Sequence, residues 1–191
     1  TADEATALRD AAKRVLIAEA FMVRFHPQWI RARELVREGR IGELRAVQMF
    51  FGYNNLDPAN VRNRADIGGG GLYDIGCYAI VAGRFFFGVE PLRGIALIDR
   101  DPQFAPKPSW PRYMTTKLAI DDGSSLEGAG IVTETLPESD QYQLQGEAFS
   151  RAVRGEVALP YGVGDAIANM RVIDALFRSE RSGHWEAVAS D

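Results

Sequence analysis

The feature that most constrains this 191-residue chain is the stretch from Leu72 to Phe87, which has helical spacing and almost no polar side to turn toward water. Asp74, Tyr78, Val81 and Phe85 share one stripe. Leu72, Ile75, Ala79, Ala82 and Phe86 flank it on one side, and Cys77, Ile80 and Phe87 on the other. A helix that is apolar nearly all round belongs inside a protein, so other elements must fold over it. The remaining sequence can supply them, because 46% hydrophobic and 25% charged residues describe an ordinary globular protein of one domain, or two small ones, that can bury a sizeable core. Four glycines, Gly68 to Gly71, lead into the helix and Gly88 ends it. Such a run is entropically costly, which implies either a close approach of backbone to another group or a flexible leader.

The ends of the chain read as helices and the middle as strands. Thr1-Ala-Asp-Glu4 is a capping box opening a helix to about Arg14, and helices are expected from Pro27 to Glu38, Asp140 to Arg154 and Asp165 to Ser182. Val15 to Ala20, Gly42 to Tyr53, Leu92 to Ile98 and Met114 to Ile120 have strand character, whereas Leu126 to Ser139 has no clear pattern. Both rows of the strand over 42–53 and of the strand over 92–98 are largely apolar, so the two are expected to be neighbours in one sheet covered on both faces. Helices would cover one face and a second subunit the other. The fold class is therefore α+β. Asp101 to Pro111 holds four prolines and cannot be a helix.

Composition narrows the function classes. A net charge of −4 gives no basic excess for nucleic acid or an anionic membrane surface, and no apolar run approaches the ~20 residues of a membrane-spanning helix. One cysteine, Cys77, and two isolated histidines, His26 and His184, exclude an internal disulfide and give no metal-ligand spacing. His26 before Pro27 reads as a cap or turn residue. Neither Gly-x-Gly-x-x-Gly, Gly-x-x-x-x-Gly-Lys nor Gly-x-Ser-x-Gly occurs. The Asp74 and Tyr78 pair has two readings from the residues alone: a buried acid and phenol with a chemical task, or an acid stabilised by the helix dipole beside a tyrosine with a satisfied hydroxyl.

Glu19-Ala-Phe-Met-Val-Arg-Phe-His-Pro-Gln28, Gly68-Gly-Gly-Gly-Leu-Tyr-Asp-Ile-Gly-Cys-Tyr78, Asp140-Gln-Tyr-Gln-Leu-Gln-Gly-Glu-Ala-Phe149 and Asp165-Ala-Ile-Ala-Asn-Met-Arg-Val-Ile-Asp-Ala-Leu176 stand in that order along the chain. Together these four segments resemble the C-terminal part of the Gfo/Idh/MocA oxidoreductases. The Asp-x-x-x-Tyr form of the helix places the resemblance nearest the glucose-fructose oxidoreductase, xylose dehydrogenase and dimeric dihydrodiol dehydrogenase branch. The resemblance implies an open, mainly antiparallel sheet with helices on one face, serving as substrate and dimerisation domain over 1–191. It also implies an N-terminal Rossmann domain and a Glu-Lys-Pro motif upstream of Thr1, and further strands at an internal junction near 104–105.

What the resemblance implies for chemistry is hydride transfer between NAD or NADP and a sugar or polyol. Tyr78 would be the acid/base and Asp74 would hydrogen-bond the reacting hydroxyl or orient its neighbours. Met22, Arg24, Arg64, Gly69 and Gly70 would line the substrate or nicotinamide pocket. The cofactor is expected in the complete enzyme and not on this chain alone, since the dinucleotide fingerprint is absent. The remaining expectations are a homo-oligomer through the sheet face, a cytoplasmic setting and no metal. The alternative is a non-catalytic domain that binds a small polyol or only dimerises.

Overall fold

A computed structural model describes residues 1–51, 53, 55, 57–98, 116–121 and 131–190. Three of its α-helices begin where the sequence supplies a side-chain cap. Helix α1 (Ala2–Ala12) opens on the capping box, with the Thr1 hydroxyl accepting from the Glu4 amide at 3.3 Å. Helix α2 (Pro27–Arg37) starts with Pro27 in its first turn and with His26 Nδ1 accepting from the Gln28 amide at 3.1 Å, so His26 is a cap. The long apolar stretch is a π-helical turn, Leu72–Gly76, running into α3 (Cys77–Phe87), and Gly88 at φ 70° closes it. Helix α4 (Gln141–Val153) is capped by Asp140, and α5 (Val163–Ser182) ends at Gly183, φ 71°.

The core lies where α3 crosses α5. Phe21, Cys77, Val81 and Ile173 form its buried centre, with Trp29, Tyr78 and Met170 among the residues packed around it. Burial of α3 is less complete than its composition implies: Ala79 and Phe87 are exposed. Helix α1 is held against α5 by the Asp174 carboxylate, which accepts from the Ala2 amide at 2.7 Å. The turn Met22–Phe25 packs on α4 and α2.

The strands are where structure and expectation part. Strand β1 is only Arg93–Gly94 and pairs antiparallel with β4 (Glu186–Ala187); β2 (Thr116–Asp121) pairs antiparallel with β3 (Ile131–Leu136) in a ladder from Thr116↔Leu136 to Asp121↔Ile131. The class is α+β with antiparallel pairing, as expected, and β3 arises in the stretch that showed no pattern. No strand forms over 15–20, and the described residues of 42–53 form no ladder with 92–98. An apolar extended run becomes a strand only when a neighbour takes its N–H and C=O groups, and none of the described segments does so here. Val15 and Leu16 are accordingly exposed, and Phe50, Leu92 and Leu97 nearly completely so. The proline-rich separator, the junction at 104–105 and most of the turn at 121–125 lie outside the described residues. Helix α2 is tied to β3 by Arg31, whose Nε and Nη2 donate to Glu134 at 2.8 and 3.0 Å.

Candidate functional site

The site grows from the start of the apolar helix. In the π turn the Cys77 amide donates to Leu72 five residues back, and such single π turns recur where a side chain must be re-aimed. A Cβ on Gly76 would lie 2.8 Å from Leu72 Cδ1, the far end of a side chain that can turn aside. The turn presents Asp74, and Asp74 is fully engaged. The Tyr53 hydroxyl donates to Oδ2 in a very short hydrogen bond, and Arg62 Nε donates to Oδ1 at 2.8 Å. One carboxylate therefore gathers the loop carrying Tyr53 and Arg62 onto the helix. Burial first, and then Asp74, push the Tyr53 phenol up to about 12, and Asp74 raises Arg62.

Tyr78 is the contrasting group. Its ring packs edge-on against Phe21, with centroids 5.1 Å apart, while among the described residues its hydroxyl meets only Met22 Sδ, at 3.5 Å. A thioether is a weak acceptor, so a half-buried phenol is left with most of its hydrogen-bonding capacity unused. Burial is the main cause that raises its pKa, with Cys77, Tyr142, Asp74 and Glu19 adding to it. The group is a proton donor at neutral pH. Cys77 is buried and its thiol is pushed up to about 11, which makes it an inert core residue.

The glycines serve the loop. Gly69 and Gly70 donate to the carbonyls of Arg64 and Arg62, each at 2.8 Å, and a Cβ on Gly69 would collide with Val61 O and lie 2.6 to 2.7 Å from the Arg64 backbone. Gly70, at φ 122°, stands in a region only glycine adopts readily. The close approach implied by the glycine run is thus to the chain itself, and it seats Arg62 beside Asp74.

Of the seven residues the sequence nominated, the structure brings Asp74, Tyr78 and Met22 together, with Gly69 and Gly70 in the supporting loop. It does not bring Arg64 or Arg24 there. Arg64 turns to Asp66 at 2.7 Å on the surface. Arg24 is buried and bonds Asp165 Oδ2 at 2.6 Å, because a guanidinium in the interior needs a counter-charge and α5 offers one. Tyr53 and Arg62 escaped the sequence reading; their only signal is an aromatic and a cation in a polar loop ahead of the glycines. Among the described residues no group of three His, Cys, Asp or Glu could hold a metal, and no helix is long and apolar enough to cross a membrane.

Comparison with known proteins gives a consistent family. A model described as the GFO/IDH/MocA C-terminal domain matches residues 29–125. An uncharacterized oxidoreductase, ORF334, of Rhizobium meliloti is 35% identical over an alignment of 215 positions covering 90% of this chain and 64% of that protein. The D-xylose 1-dehydrogenase (NADP(+)) 2 of Haloferax volcanii is 29% identical, with 96% of this chain and 68% of that protein covered. The chain thus spans about two thirds of these relatives' length. Among solved structures, the aldose-aldose oxidoreductase from Caulobacter crescentus complexed with glycerol superposes with a TM-score of 0.71 at 21% identity, over 98% of this chain and 69% of that one. An oxidoreductase from Agrobacterium radiobacter in complex with NAD+, L-tartaric acid and magnesium gives a TM-score of 0.67 at 10% identity, over 98% and 70%. At these identities the likeness is one of fold.

Proposed function

We propose, since the chain belongs to the GFO/IDH/MocA C-terminal domain family, that it is the substrate-binding half of an NAD(P)-dependent oxidoreductase acting on a carbinol or carbonyl carbon of a sugar or polyol. The observation that carries this reading is the pairing of a fully engaged Asp74, which holds Tyr53 and Arg62, with a Tyr78 hydroxyl that among the described residues has only a thioether beside it. A tyrosine that merely packs would not need its hydroxyl left without a good partner. The names of the relatives support the substrate class, since one is a D-xylose dehydrogenase using NADP(+).

The chain's own residues fit the substrate better than the dinucleotide. Pyrophosphate binding needs glycine amides free at a strand-to-helix turn, whereas the amides of Gly69 and Gly70 donate to the loop's own carbonyls. The cofactor, which supplies or accepts the hydride when bound, therefore belongs to another domain of the complete protein. Within this chain, Tyr78 holds the proton that a substrate oxygen gains on reduction. Asp74 acts through its neighbours, fixing the Tyr53 hydroxyl and the Arg62 guanidinium at the mouth of the site. Among the described residues the terminal nitrogens of Arg62 have no hydrogen-bond partner, which leaves them to a substrate oxygen. Proton release from Tyr78 in the reverse direction needs a nearby cation, and the lysine of an upstream Glu-Lys-Pro motif would supply it in the complete enzyme.

The alignment to the Rhizobium meliloti protein is longer than this chain, which supports an internal shortening, proposed near 104–105. The near-total exposure of Phe50, Leu92 and Leu97 supports a homo-oligomer that covers the apolar face. A lone buried thiol accords with a cytoplasmic setting. The test is an activity screen of the complete protein on aldoses and polyols with NAD(H) and NADP(H), repeated with Tyr78→Phe. Turnover of a sugar or polyol that is lost in the variant is the expected result; binding of the sugar without any redox turnover selects the non-catalytic alternative.

A further inference from the structure

Two turns along α3 from Tyr78, a second cluster of charges sits in the interior. Arg24 and Arg84 have side chains only 3% and 8% exposed, and they share Asp165: Arg24 Nη1 lies 2.6 Å from one of its oxygens and Arg84 Nη2 2.9 Å from the other. Arg84 also grips Glu90 through Nε and Nη2 at 2.7 and 2.9 Å. Aromatic rings cover Arg24, with its Cζ 3.8 Å from the centroid of Tyr161 and 5.3 Å from that of Phe21. Three donors of this cluster are buried with no acceptor among the described residues. They are Arg24 Nε and Nη2, which lie along one edge of the guanidinium, and Arg84 Nη1.

Both arginines line a cavity of about 180 Å³, and Arg33 and Arg37 of α2 line it too. The carboxylates in its wall, Asp165 and Glu90, are already engaged by Arg24 and Arg84. Arg33 lies over the Phe85 ring, its Cζ 3.9 Å from the centroid, and neither Arg33 nor Arg37 has a carboxylate partner among the described residues. Four guanidinium groups thus face two carboxylates. We propose that this cavity binds a phosphate group, held by the guanidinium groups of Arg24 and Arg84 in its wall and of Arg33 and Arg37 at its mouth.

The chemistry fits in three respects. A guanidinium edge matches two oxygens of a carboxylate or phosphate in a fork, and the stacked rings hold the Arg24 guanidinium in place. The excess of two positive charges favours a dianion over water or a neutral group. The volume exceeds the ~30 Å³ of a water molecule several-fold, leaving room for a tetrahedral ion. Glu19 also lies within electrostatic reach of Arg24 and Arg84, and its Oε2 is buried without a donor among the described residues. Burial and the nearby Asp165 push it up to about 7, so it neutralises the cluster only in part at neutral pH. This inference stands apart from the proposed hydride transfer, and its test reads binding alone.

The experiment titrates the chain with inorganic phosphate at pH 7, with sodium chloride adjusted to keep ionic strength constant, and follows heat and melting temperature. Saturable binding with a rise of several degrees in Tm is expected. The double variant Arg33→Gln/Arg37→Gln alters only the mouth; it should keep the parent's circular dichroism and bind phosphate at least tenfold more weakly. Equal effects of phosphate and chloride, or a double variant that binds as the parent does, would overturn the proposal. Glucose 6-phosphate and glucose identify the source of the group. Tighter binding of the phosphorylated sugar than of phosphate, with none of glucose, indicates a larger phosphorylated ligand; equal affinity of sugar phosphate and phosphate indicates the free ion.

Discussion

Tyr78→Phe separates chemistry from packing at this site unusually well, and the reason is the poverty of the hydroxyl's surroundings. The substitution keeps the ring and its edge-on contact with Phe21 and removes only the contact with Met22 Sδ at 3.5 Å. An ordinary neutral hydrogen bond contributes about 1 kcal/mol net. A long bond to a thioether falls below that, so a stability change of about 0.5 kcal/mol or less is expected, and burying a phenyl in place of a phenol offsets part of it. For a chain of this length about 1 kcal/mol moves Tm by roughly 2–4 °C, so the variant should melt within about 2 °C of the parent.

The expected effect on turnover is of another order. Loss of a positioned proton donor lowers rates by ~10²–10⁴-fold, equivalent to about 3–5 kcal/mol of transition-state energy. The stability and rate effects thus differ nearly tenfold in free energy, well beyond the error of either measurement. The assay is kcat for carbonyl reduction by the complete enzyme, with Tm taken on the same preparations. Because burial raises the Tyr78 pKa, the parent's reduction rate should be flat through neutral pH and should decline only at alkaline pH, where the phenol loses its proton. A variant with near-normal kcat removes Tyr78 from the mechanism. A Tm lower by several degrees would instead show that the hydroxyl holds the fold, and that the weak contact with Met22 is the wrong account of it.

Three further perturbations test the surrounding structure. Asp74→Asn removes the charge that binds Arg62 and raises Tyr53, so the Tyr53 phenol should fall partway from about 12 toward 10 when followed by tyrosinate absorbance; an unchanged titration would mean that burial alone sets it. Glu19 has a folded pKa near 7 against 4.5 in the unfolded chain, so its contribution to stability is complete below about 4.5 and is lost as pH rises through 7. The parent's Tm should therefore decline over that window, while Glu19→Gln flattens the profile and melts higher at pH 8; identical pH slopes for the two chains would refute the assignment. Gly69→Ala drives a methyl into the Val61 and Arg64 backbone and should destabilise the chain by about 1–3 kcal/mol, with faster amide exchange at Gly69 and Gly70; a neutral effect in denaturant melts would mean that the loop is free to shift.

How much of this was legible in the sequence depends on how local each signal is. Caps act within four residues, and the helix limits follow them: the Thr1 box, His26 before Pro27, Asp140, Gly88 and Gly183 each sit where the helix they govern starts or stops. Strands depend on partners far along the chain. The apolar rows over 42–53 state that cover is needed but not what provides it, and β4 is a two-residue strand that exists only because Arg93–Gly94 lies beside it. Asp74 and Tyr78 could be found because one helix carries both. Arg24 shows the opposite case: the family resemblance implied a pocket position for it beside Met22, while its counter-charge, Asp165, is 141 positions away.

Tyr53 and Arg62 follow the same logic and lead further. Twenty-one and twelve residues from Asp74, they reach the site through a loop whose course is set by Gly69 and Gly70, so no spacing rule could have joined them to it. The groups proposed for proton transfer therefore ride on a helix anchored in the core, and those left to meet the rest of the substrate ride on a loop pinned by one carboxylate. Changes in the loop can alter which sugar fits without disturbing the packing of α3 on α5. On this division, Arg62→Lys should change the ranking of substrates by kcat/KM while leaving Tm within about 1–2 °C, since its ion pair with Asp74 is half exposed and contributes little to stability. An unchanged ranking across a panel of aldoses and polyols would show that Arg62 serves only to brace Asp74.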